Sequence, residues 1–174
     1  EAGGGRVRGL RQTAQWDPVI GADRPPQRRG QPGLLMDPAF RVGFALLGRM
    51  GLVFDAGIYH PQFPEATDLA RHFPDTVVML SHLGRPLRSG PYAEKPEEAV
   101  ARWRHGIEAA AKLPNTVLKL GGLGNPVSGF DWQYRLVPPS SDEIAAGYRP
   151  FVEIAVDAFG PDRCMFESNF PVEK

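Results

Sequence analysis

Four short stretches place histidines, acids and bases directly behind apolar runs: Ile58-Tyr59-His60-Pro61-Gln62, Leu80-Ser81-His82-Leu83-Gly84-Arg85-Pro86, Lys119-Leu120-Gly121-Gly122 and Phe166-Glu167-Ser168-Asn169-Phe170-Pro171. Imidazoles at the tips of neighbouring strands can approach one divalent metal ion, or polarise one carbonyl oxygen without a metal. His60 and His82 are the pair that could do either; each could equally cap its strand end by bonding to backbone. Glu167 is the candidate general base. A carboxylate in the mouth of a sheet loses water, which raises its pKa towards the useful range. Asn169 is an amide and cannot take a proton, and strand alternation points it the same way as Glu167, one layer apart. Pairing of Glu167 with Lys119 or an arginine is the competing structural role. Arg11, Gln12, Arg85 and Lys119 are candidates for binding substrate, since arginines at such a mouth hold a carboxylate bidentately. Each could also be a surface or structural charge.

The elements that must position these residues alternate along the chain. Val7 to Gln12, Leu52 to Ile58, Val77 to Leu80, Val117 to Leu120 and Arg163 to Glu167 read as strands. Between them, Asp37 to Met50, Phe63 to Phe73, Lys95 to Lys112 and Ser141 to Phe159 carry apolar residues at helical spacing, with Asp37-Pro38 as a start signal and Ser141 as an N-cap. Strands alternating with helices predict βαβ units and a parallel sheet. The turns after helices are short, whereas the stretches after strands are long, notably Thr13 to Met36, Ser81 to Glu94 and Gly121 to Ser140. Long loops on that one side are what a barrel with its site at the C-terminal face would show; a doubly wound open sheet is the alternative. The aromatic loop Gly129 to Tyr134 lies on the same side, as a pocket wall, a lid or ordinary packing. His72 and His105 fall within helices and read as surface residues.

Composition narrows the function classes. The chain of 174 residues has 20 Lys+Arg against 20 Asp+Glu, and this zero net charge argues against the broad basic footprint a nucleic-acid partner would need. The basic run Arg24 to Arg29, rich in proline, reads as a solvated loop. No apolar stretch is long enough to span a bilayer. The lone cysteine, Cys164, sits in an apolar run and reads as a buried structural thiol; its solitude suits a reducing, cytoplasmic setting. Beginning at Glu1 and stopping just behind a strand, residues 1–174 read as part of a single larger domain. Its open sheet edges are expected to make it aggregate alone.

Phe54-Asp55, Tyr59-His60-Pro61-Gln62-Phe63-Pro64, Ser81-His82-Leu83-Gly84-Arg85-Pro86, Lys119-Leu120-Gly121-Gly122-Leu123 and Met165 to Pro171, in that order, resemble the strand ends of the amidohydrolase-related family. The branch is that of sugar lactonases and pyrone-dicarboxylate lactonase. The resemblance implies an α/β fold, a TIM-like (β/α)₈ barrel of the metal-dependent hydrolase type, represented here by roughly strands four to eight with strands one to three and the final helix missing. It implies a site built from a His-x-His pair on strand one, histidines after strands five and six and an aspartate after strand eight. His82 matches the strand-six histidine. His60 matches the strand-five region, although relatives often place the histidine where this chain has Pro61 or Gln62. Glu167-Ser168-Asn169 stands where the family reads Gly-Ser-Asp, which leaves Glu167 as the substitute base or leaves a site that only binds. The implied activity is hydrolysis of a lactone or other cyclic ester or amide. A decarboxylase of the same branch and a non-catalytic ligand-binding barrel are the alternatives. The implied partners are one divalent ion (zinc or manganese) or none, and a small substrate, carboxylated or sugar-derived.

Overall fold

The structure, a computed structural model, describes residues 5–21 and 30–173. The basic run 24–29 lies outside the described residues. Five strands alternate with four helices: β1 Gly9–Thr13, α1 Pro38–Arg49, β2 Val53–Gly57, α2 Phe63–His72, β3 Val78–Leu80, α3 Pro96–Ala111, β4 Thr116–Leu120, α4 Ser141–Phe159 and β5 Cys164–Phe166. The strands pair in sequence order, β1-β2-β3-β4-β5, and every pair is parallel. Consecutive parallel neighbours joined through helices make a stretch of (β/α) barrel wall, whereas a doubly wound sheet would reverse direction partway.

Local chemistry sets the helix ends. Asp37 Oδ1 accepts from Phe40 N at 2.8 Å while Pro38 takes the first helical position, where its missing N–H loses nothing. For α4 the N-cap is Ser140 rather than Ser141. Ser140 Oγ accepts from Glu143 N at 3.2 Å and Glu143 Oε2 accepts from Ser140 N at 2.9 Å, a reciprocal box that Ser141 stands one residue too late to form.

The two faces of the sheet differ sharply. Phe54, Ala56, Val78, Leu80 and Leu118 point to the helices and are at most 2% exposed. The rings of Phe40 and Phe44 on α1 meet Phe54 edge-on, with centroids 5.8 and 5.1 Å away. Trp103 of α3 is fully buried, and its indole Nε1 donates to Leu83 O at 2.6 Å, so the large ring enters the core without stranding its N–H. On the other face, Val53, Asp55, Met79, Val117 and Lys119 are only half-buried, and β1 and β5 pair on one side each. The core therefore lies between sheet and helices, and the opposite face is left to carry polar groups. Among the described residues no helix is long and apolar enough to cross a membrane.

Candidate functional site

Each of the five strands delivers one polar side chain to that opposite face. Arg11 of β1 and Asp55 of β2 are partners in register, and Lys119 of β4 stands beyond them. His82 and Glu167 follow the ends of β3 and β5. Lys119 Nζ lies 2.6 Å from Asp55 Oδ2, Arg11 Nε lies 3.9 Å from the same oxygen, and Ser81 Oγ donates to Asp55 Oδ1. Arg11 Nη2 donates to His82 Nε2 at 2.9 Å. The other ring nitrogen, Nδ1, donates to Glu167 Oε1 at 2.6 Å, and the same oxygen accepts from His82 N at 2.8 Å. A guanidinium can only donate, so Nε2 is the acceptor and the proton sits on Nδ1: the network fixes one neutral tautomer of His82.

The turn that carries His82 is left-handed through four residues, with φ of 56°, 56°, 63° and 42° at His82, Leu83, Gly84 and Arg85. Side chains other than glycine pay about 1–3 kcal/mol each in that region, so the turn needs strong anchors. Leu83 is fully buried with its carbonyl on Trp103, Arg85 N donates to His82 O at 2.8 Å, and Glu167 holds both nitrogens of one edge of His82. Gly121 and Gly122 complete the cradle. A Cβ on Gly122 would stand 2.5 Å from His82 Cβ, and one on Gly121 would stand 2.3 Å from Glu167 O. The Gly-Gly after β4 is thus required by the close approach of the two polar residues.

The expectation that burial raises Glu167 is overturned. Burial does push its pKa up, but the side-chain and backbone hydrogen bonds from His82 and then the Lys119 ammonium outweigh it, and the carboxyl is held below its ordinary value. Asp55 is lowered in the same way: burial is outweighed by hydrogen bonds from Lys119 and Ser81 and by the charge of Arg11. The expectation that Asn169 shares Glu167's direction also fails, because β5 ends at Phe166 and alternation ends with it. Asn169 adopts φ 53°, and its Nδ2 donates to Glu173 Oε1 at 2.8 Å.

His60 is placed differently from His82. It is 2% exposed, and its Nδ1 accepts from Leu87 N at 3.0 Å, so Nε2 carries the proton; among the described residues Nε2 has no partner. The ring meets Tyr92 edge-on at 5.4 Å, and Tyr92 OH donates to Asp17 Oδ2 at 2.8 Å. Burial, then Arg102, lowers the His60 pKa to about 4, so it is neutral at working pH. Gln62 ties the same turn to the β1 loop, accepting from Trp16 N at 3.0 Å and donating to Ala14 O at 2.7 Å.

Of the remaining candidates, Gln12 is exposed, alternates away from Arg11 and donates to its neighbour's carbonyl, Thr13 O, at 3.3 Å. Arg85 is 8% exposed, withdrawn from solvent at the end of the left-handed turn. In the aromatic loop Trp132 stacks on Tyr148 of α4, Phe130 is tilted against Tyr148 and meets Phe151 edge-on, and Arg88 lies over Phe130 and Phe151. His72 and His105 are exposed on α2 and α3. Cys164 is half-buried, and burial raises its thiol despite Arg163. Asp55 is the residue that reading of strand ends passed over. A lone acid inside an apolar strand, on the alternation phase of Arg11, was its signal.

The donor set of these residues does not by itself fit a metal ion. Among the described residues no group of three or more His, Cys, Asp and Glu could hold one. The acceptor nitrogen of His82 is taken by a cation, Arg11, and both oxygens of Asp55 are engaged.

The chain spans about half the length of the curated relatives it matches. It is 35% identical over 167 residues to an uncharacterised protein of Sinorhizobium fredii, covering 96% of this chain and 48% of that one. It is 32% identical over 136 residues to an L-fucono-1,5-lactonase of Burkholderia multivorans, covering 78% and 43%. Among solved structures, an amidohydrolase from Burkholderia multivorans with bound zinc superposes with a TM-score of 0.72 at 28% identity, covering 97% of this chain and 51% of that one. The family model described as amidohydrolase matches residues 2–174. The five-strand parallel unit, the ordered strand-end motifs and this match agree: the chain belongs to the amidohydrolase family, a hydrolase family of TIM-barrel type.

Proposed function

We propose that the intact protein opens a lactone by water attack on its carbonyl, with His82 as the base and Glu167 as the group that orients it. The Arg11–His82–Glu167 chain of hydrogen bonds carries this reading. Glu167 is held ionised and already accepts two N–H groups, which suits it to fix a tautomer and balance an imidazolium, as the carboxylate does in serine-protease triads. His82 Nε2 presents the lone pair. As water oxygen bonds the carbonyl carbon, its proton passes to Nε2. When the ring C–O bond breaks, that proton goes to the leaving oxygen. Arg11, released from Nε2 by the incoming water, stands where it can donate to the developing oxyanion. His60, neutral and committed to Leu87, supports the loops rather than the reaction. Asn169 supports the turn that follows β5. Among the described residues no group of three or more His, Cys, Asp and Glu could hold a metal ion, and no step is routed through one.

The test is acid release from L-fucono-1,5-lactone and related sugar lactones by the intact protein and its Glu167→Gln variant. Turnover that falls on the order of a thousandfold in the variant, with the melting point kept, supports the reading. Wild-type turnover in the variant sinks it. Release of carbon dioxide in place of a ring-opened acid would identify a decarboxylase, and tight binding with no product a ligand-binding barrel.

A further inference from the structure

We infer that Asp55 sets the charge selectivity of this site, committing Lys119 and Arg11 so that the face takes uncharged, hydroxyl-bearing lactones and turns away carboxylated ones. The inference rests on the lactone-opening reading. Among the described residues Arg11 and Lys119 are cations of the inner face, and sequence alone offers them to a substrate carboxylate. The structure gives them a carboxylate already. Asp55 stands between them, 2.6 Å from Lys119 Nζ and 3.9 Å from Arg11 Nε, with its second oxygen bonded by Ser81. The side chains of Lys119 and Asp55 are 19% and 17% exposed, so the pair is largely out of water. Drawing Lys119 away would leave Asp55 largely buried with only the more distant Arg11 as counter-ion, and that loss opposes any gain from a new carboxylate. Glu167 adds a second fixed negative charge beside the same lysine. Among the described residues Arg11 and Lys119 balance Asp55 and Glu167, and a third carboxylate there brings net repulsion. A neutral polyol lactone requires no such exchange and can take hydrogen bonds from the network as it stands.

The experiment compares kcat/KM for a neutral sugar lactone with that for a sugar-diacid monolactone, in the intact protein. The wild type is expected to favour the neutral ring. Asp55→Asn, which frees both cations, narrows the preference by roughly ten- to a hundredfold. The double variant Asp55→Asn/Lys119→Gln brings the preference back towards wild type. A folded Asp55→Asn protein with an unchanged preference, or a wild type that favours the acid, overturns the inference. Calorimetry on the wild type needs neither a stable variant nor turnover: malonate binding no tighter than malonamide supports the commitment of the cations, and malonate more than about tenfold tighter refutes it. A wild type that opens neither lactone defeats the lactonase reading alone, and the malonate comparison still decides for Asp55.

Discussion

Two histidines end neighbouring parallel strands, and the protein uses them in opposite ways. His60 follows β2 through a right-handed turn, Tyr59 to Gln62, and is folded back under the loops, where Leu87 N occupies its acceptor nitrogen. His82 follows β3 into a left-handed turn and is swung onto the inner face, between Arg11 and Glu167. Position at a strand end does not by itself aim a side chain. The backbone of the next few residues does, and the unusual backbone is found at the residue with the polar network. Strain of this kind persists only where surroundings over-determine it, and Leu83, Trp103 and the Gly121-Gly122 cradle supply that determination.

The comparison breaks most directly on activity. His82→Gln is expected to lower lactone turnover on the order of a thousandfold, whereas His60→Gln, whose amide oxygen can still accept from Leu87 N, should keep turnover within about tenfold of wild type. Equal losses in the two variants, measured in one steady-state assay, would erase the distinction. Acid titration sharpens it next. The pKa of folded His60 is about 4 against an ordinary 6.5, so below 6.5 the unfolded chain takes up the proton first. Stability is complete above about 6.5 and declines as pH falls towards 4, by on the order of 3 kcal/mol. Denaturant melts across that window should show the slope, and His60→Gln should flatten it.

A smaller effect tests the cradle. Gly122→Ala places a methyl against His82 at φ +77° and should destabilise the fold by about 2 kcal/mol. Its turnover should fall more than that of a comparably destabilised His60 variant. The smallest effect concerns metal. Exhaustive chelation should leave the melting midpoint of the five-strand unit, held dilute enough to suppress association, unchanged, because no described cluster holds an ion. A clear drop would show that this chain supplies a shell that its donor set does not reveal.

Much was legible from residue order. Alternation gave all five strands and four helices to within a residue or two at most ends, because burial against helices imposes period two on strands and the helical spacing on their partners. The fold class and family followed from the same strand ends. Legibility failed at Ser140, where the capping box lies one residue early, and at Asn169, where the strand had already ended. It also failed at Glu167, read as a buried base with a raised pKa, with pairing to Lys119 or an arginine as the competing role and His82 not considered as its partner. That error is instructive: burial was foreseen, but the two N–H donors of His82 come from a segment 85 residues away.

What the sequence determined by itself is the set of parts: an apolar face that must turn to the helices, a polar face that must turn away, glycines behind β4 and a family signature across the chain. These depend on neighbours in sequence and on periodicity. What only the tertiary structure decided is the pairing: which nitrogen of each histidine is protonated, that Lys119 belongs to Asp55, and that Glu167 is held charged. Hydrogen bonds and ion pairs fall off over a few ångströms, so their partners are set by how separate strands come to lie side by side in register, and no local spacing in the chain encodes that.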